Sequence, residues 1–150
     1  MEFCYPSKED AEYVVNHLNK NEQFEIYCLV GSNMLDDLLD GIKKSEVVGC
    51  AKEKGVPIAI YGLRKQAAIS DRYLVWAYFT DDIYKHRVRY GLHMKRAVKQ
   101  ILARYGCIYN YVPVASLEIS KWLKSLGAEF TGPYNLGPFG VPHWCYEIRR

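Results

Sequence analysis

The sequence has no apolar run that approaches the roughly 18 residues a membrane-spanning helix requires, so a helical membrane protein is not expected. Cysteines at C-x-x-C spacing are missing too. The five present (Cys4, Cys28, Cys50, Cys107 and Cys145) are odd in number and widely spread. That pattern suggests neither a zinc site nor a redox dithiol. They read as reduced, mostly buried thiols of a cytoplasmic protein. Strong net charge is also lacking, since +3 is too mild to imply nucleic acid by itself. The segment Met1-Glu2-Phe3-Cys4-Tyr5-Pro6 has no basic stretch and no long apolar core, so it does not read as a secretory leader. No Ser-His-Asp or Cys-His order stands out. His86 and His93 lie seven apart, which is not a metal-ligand spacing, and no metal is expected. Internal repeats, low-complexity segments and linkers are absent.

What remains is an ordinary globular composition, 49% apolar and 25% charged. At 150 residues it reads as one domain, residues 1–150. A domain of this size buries roughly 68–70% of its unfolded surface, so it folds without metal or disulfide. Thirteen tyrosines suit a strand-rich core, a cleft or an interface.

Residues 1–5 read as a strand stopped by Pro6. Ser7 and Asp10 then cap a helix whose stripe is Ala11, Val14, Val15 and Leu18. Leu35, Leu38, Leu39 and Ile42 give a second helix. The apolar stretch Phe24 to Val30 between them fits either helix or a short strand. Val47–Lys52 and Val56–Leu63 are strands joined by a turn at Glu53-Lys54-Gly55. Tyr73–Phe79, aromatic and β-branched, is the strongest strand. The longest helix runs from about Tyr84 to Tyr105, with Gly106 as its stop. A strand over Ile108–Val114 follows, its proline end at an edge or splayed. Ser116 opens a helix striped by Ile119, Trp122, Leu123 and Leu126. The Asn135–Gly140 stretch is either a lid or a plain connection, and a last strand lies near Trp144–Ile148. The order is β-α-α-β-β-β-α-β-α-β, a mixed α/β (α+β) arrangement.

Lys85, Arg87, Arg89, Lys95, Arg96, Lys99 and Arg104 occur with no acidic residue among them. Such a run is either a solvated face or, at its start, an anion site assisted by a helix N-terminus. Nucleic acid ranks lowest, since it would also need aromatics placed for stacking.

The order, and above all Leu74 to Ala128, resembles the Gcn5-related N-acetyltransferases. That family carries a Gln/Arg-x-x-Gly-x-Gly/Ala turn after a central strand, matched here by Tyr78 through His93. The resemblance implies a mixed central sheet with a splay between the fourth and fifth strands. It implies acetyl-CoA or another acyl-CoA as cofactor and an amine as acceptor. Phe79 would supply an oxyanion N–H. Tyr90, Gly91 and Leu92 would meet pyrophosphate through backbone, with Arg87 and Arg89 as clamps and Ser116 opening the next helix. Asp71, Asp81 and Asp82 are candidate proton acceptors or plain residues of solvated turns, and Tyr78, Tyr109 and Tyr111 are candidate acids or packing residues of the strands. Val88 and His93 depart from the turn, Leu123 replaces a common acidic tyrosine, and the central strand lacks a glutamate. Tyr109-Asn110-Tyr111-Val112 with Leu126-Gly127-Ala128 resembles, more narrowly, a small family of short-tailed bacteriophages, some of whose members are internal virion or assembly proteins. That likeness implies host cytoplasm or virion as location, and a protein partner in place of a reaction.

Overall fold

In the computed structural model, which describes residues 1–150, the first turn of α1 (Lys8–Asn16) shows local sequence dictating structure. Ser7 Oγ accepts the Asp10 N–H and Asp10 accepts the Ser7 N–H, a complete capping box. The ambiguous apolar stretch is a helix in its own right, α2 (Lys20–Val30), capped by Asn19. Its apolar residues run almost all round it because it is covered on several sides, which is why periodicity did not settle it. α3 (Met34–Lys44) completes three helices before the main sheet, where two were expected.

The strands are β1 (Glu2–Cys4), β2 (Val47–Glu53), β3 (Val56–Lys65), β4 (Tyr73–Phe79), β5 (Cys107–Pro113), β6 (Glu129–Leu136) and β7 (Val141–Arg149). They form one sheet in the order β1-β2-β3-β4-β5-β7-β6. Every neighbouring pair is antiparallel except β4 and β5. The β2–β3 turn has both Lys54 (φ 52°) and Gly55 (φ 79°) left-handed. This is the two-residue turn whose twist matches the strands, and glycine meets that conformation without strain. The tail differs from expectation. Its glycine- and proline-rich segment is mostly strand, with a bulge between Thr131 and Tyr134.

The single long helix expected over Tyr84–Tyr105 is two: α4 (Asp81–Lys85) and α5 (Arg87–Tyr105), parted at His86. α6 (Leu117–Ser125) follows β5. One core lies between α1–α3 and the sheet around Val14, Leu38, Cys50, Ile60 and Tyr78. A second, around Leu63, Leu102, Ile108, Val112 and Leu123, lies under α5 and α6. No helix is long and apolar enough to cross a membrane.

Candidate active site

β4 and β5 run side by side for only two residue pairs, Tyr73–Ile108 and Leu74–Tyr109, and then part. Asn110 sits at the fork. Its amide donates to the Val75 carbonyl, and its carbonyl oxygen accepts the Tyr111 N–H at 2.7 Å. It thus replaces the ladder bonds the divergence removes. Backbone groups alternate along a strand. With Val75 facing the fork, Ala77 and Phe79 face it too, while Thr80 donates to Ile58 of β3. Pro113, two residues beyond Tyr111, has no N–H to leave unsatisfied there.

α2 inserts two carboxyl groups into this region. Glu22 and Glu25 are three apart and share a helix face. Glu22 is only 5% exposed. Tyr84 of α4 donates its hydroxyl to Glu22 at 3.3 Å. Burial, then the charge of Glu25, pushes Glu22 up to about 8, against the opposing pull of the Phe79 N–H and Tyr84. Burial also raises Glu25, which the Ser116 hydroxyl partly offsets. Tyr84 and Tyr146 are both raised, chiefly by burial and then by the charges of Glu22 and Glu25. The far end of α2 is pinned by the β6–β7 turn. Pro138 lies beside Gly31, Phe139 stacks on Tyr27 with centroids 5.0 Å apart, and Gly137 packs on the Cys28 carbonyl. The Asn135–Gly140 stretch therefore covers α2.

The start of α5 packs against the end of β4 and the β2–β3 hairpin, Tyr90 sharing one apolar cluster with Ile58, Ile83 and Phe79. No side chain caps it, and its first turn holds no acidic residue. Lys85, His86, Arg87 and Arg89 around it are all exposed. Orphan N–H groups and the helix dipole at such a terminus favour a nearby anion. Gly91 lies further on, inside the second turn of α5, where an added Cβ would meet nothing within 4 Å. It is an ordinary helix position and not the turn that sequence reading placed there. Tyr90 is core and Leu92 is 59% exposed. Arg89 is bound to Glu53 at 3.2 Å, whereas Arg87 makes no ion pair.

The structure does not bring the other candidates together. Tyr78 points to the α3 face, where its hydroxyl donates to Asp37 at 2.6 Å. Asp71 is exposed at the closed end of the fork, 4.0 Å from Arg149. Tyr111 is half-buried, edge-on to Tyr109. Phe79 and Ser116 do lie at the fork. Glu22, Glu25, Tyr84 and Tyr146 escaped sequence reading. Their one signal was a pair of glutamates at helical spacing beside an apolar run. Near α4, a polar groove of about 720 Å³ is lined by Tyr13, His17, Asp81 and Asp82 among others.

No protein-family model and no curated protein matches the chain. Solved structures do. A ribosomal-protein-alanine N-acetyltransferase from Brucella melitensis superposes with TM-score 0.69 at 12% identity, covering 100% of both chains. A spermidine N-acetyltransferase from Vibrio cholerae, in complex with CoA and spermine, gives 0.72 at 12% identity, covering 99% of this chain and 94% of its own. An aminoglycoside N(6')acetyltransferase from Legionella pneumophila gives 0.69 at 16% identity, covering 99% and 94%. The chain has the N-acetyltransferase fold. At these identities the likeness is one of fold.

Proposed function

We propose that this chain is an acyl-CoA-dependent N-acyltransferase that moves an acetyl group to an amine. The observation that carries this reading is the open β4–β5 fork together with the uncapped, basic start of α5, which packs against the end of β4. The residues present suit such a cofactor at both ends. Arg87 and the first-turn N–H groups of α5 would hold its phosphates, and fork-facing β4 backbone at Ala77 and Phe79 would line its arm. Acetyl-CoA would supply an acyl group activated as a thioester. The Phe79 N–H would stabilise charge developing on the acyl oxygen. Glu22, raised to about 8, holds its proton at neutral pH and would accept one from an amine only once ionised, so turnover should rise as pH passes through about 8. The neighbouring groove offers Asp81 and Asp82 alongside Lys20 and Lys85, so its lining is of mixed charge. In calorimetric titration with acetyl-CoA, the chain should bind, and Arg87→Glu should weaken binding roughly tenfold, about 1.4 kcal/mol. Absence of heat at millimolar cofactor sinks this reading.

A second reading is favoured by one observation. The Glu22 carboxyl is buried and already accepts the Tyr84 hydroxyl, and the far end of α2 is pinned by Phe139 and Gly137. On that reading the chain is an interaction protein on the same scaffold, phage-encoded and acting in the host cytoplasm or the virion. It predicts no thiol release from acetyl-CoA with any amine, and a stable complex with another protein in a pull-down from the native source.

A further inference from the structure

At the opposite edge of the sheet, strand pairing unites residues far apart in the chain. β1 sets Cys4 directly across from Cys50 of β2, 46 positions away. α1 lays Asp10 over the pair. The two sulfurs and a carboxylate oxygen of Asp10 all lie within 4.8 Å of one another. Spacing along the sequence could not reveal this, because the cluster comes from three separate elements.

We propose that Cys4, Cys50 and Asp10 form a binding site for a soft divalent cation such as Zn²⁺. Zn–S bonds of about 2.3 Å at tetrahedral angles put sulfurs roughly 3.8 Å apart, so the three groups need little rearrangement to close on one ion. Thiolate ligands select Zn²⁺ over hard cations. Asp10 is already oriented for the task. One of its oxygens accepts the Ser7 N–H at 2.9 Å, which fixes the carboxyl plane as an outer-shell partner does. Its other oxygen meets only the Lys52 ammonium, at 3.0 Å. Lys52 therefore holds the place of a cation. A single ammonium balances the carboxylate and leaves none for a thiolate, whereas a divalent ion satisfies all three ligands. Three protein ligands leave a fourth position for water. Cys4 is exposed and provides the entry path, while Cys50 is fully buried. A disulfide is the competing fate of two facing cysteines.

The test is titration of the fully reduced chain with Co²⁺, followed by displacement with Zn²⁺. The expected result is a thiolate-to-cobalt charge-transfer absorption that saturates at a single equivalent. Cys4→Ser, an exposed position that leaves the core intact, should abolish it. Lys52→Gln, which removes the competing ammonium, should tighten binding several-fold. The proposal is overturned by no such absorption at millimolar Co²⁺. It is equally overturned by an unchanged signal in Cys4→Ser, or by a Cys4–Cys50 disulfide that forms in glutathione buffer while no metal binds.

Discussion

Glu22 is 5% exposed and shares its surroundings with Glu25, so it must keep its proton or destabilise the fold. Its raised value sets the sign. The stability it contributes is fully present below the ordinary carboxyl value of 4.5 and is lost as pH rises through about 8. A tenfold change in proton affinity is worth about 1.4 kcal/mol. Coupling to Glu25 spreads the effect over two groups, so the wild type should lose on the order of 3 kcal/mol across that window. Glu22→Gln should flatten the loss, as urea unfolding at several pH values would reveal. Asn110 makes a second residue-scale case. Asn110→Leu leaves the Val75 carbonyl and the Tyr111 N–H without their partner. The cost should be about 2 kcal/mol, measurable as a lowered denaturation midpoint with an unchanged slope. Neither role was legible in the sequence. A buried glutamate and an exposed one look alike in one dimension, and Asn110 gains its meaning only where two strands part.

Elements were legible where one face alone is buried. α1, α3 and α6 each carry an apolar stripe at helical spacing, and the Ser7–Asp10 box marks a boundary by local chemistry. α2 was opaque because the sheet, α3 and the β6–β7 turn all cover it. The break at His86 was hidden for another reason. No glycine or proline separates Tyr84 and Lys85 from α5, so one helix starting near Tyr84 is expected, with Asp81–Ile83 outside it. Gly91 misled because a glycine near a helix start reads as a turn, while here it occupies a plain helix site. The pinning of α2 can be tested at this scale. Gly137 has φ 76°, and a Cβ there would overlap the Cys28 carbonyl. Gly137→Ala should therefore cost about 1–3 kcal/mol. It should also speed amide exchange in the second half of α2 while leaving β2 and β3 protected. Uniform exchange across both regions would mean that the turn does not hold α2.

The sheet is continuous and antiparallel on both sides of one parallel joint, and that joint opens after two residue pairs. It is the one place where neighbouring strands run parallel, and α4 and α5 form the crossover between its two strands. The family resemblance implied where the sheet divides, but not what lies in the gap. The two functional readings differ at that gap, and ligand-linked stability separates them. A ligand that binds only the folded chain stabilises it by about 2.7 kcal/mol at a hundred times its Kd. For a domain of this length that is a rise in Tm of roughly 5–11 °C. With acetyl-CoA the acyltransferase reading predicts such a rise. It also predicts slower hydrogen exchange confined to the fork end of β4, α4 and the first turns of α5. Inorganic phosphate at the same concentration should reproduce only the small part that arises at the α5 terminus. If acetyl-CoA shifts Tm no more than phosphate does, Glu22 and α2 keep the fork closed and the interaction reading stands. If the shift is full in wild type and lost in Arg87→Glu, the start of α5 holds the phosphates, and the carboxyl pair gives way to the arm of the cofactor.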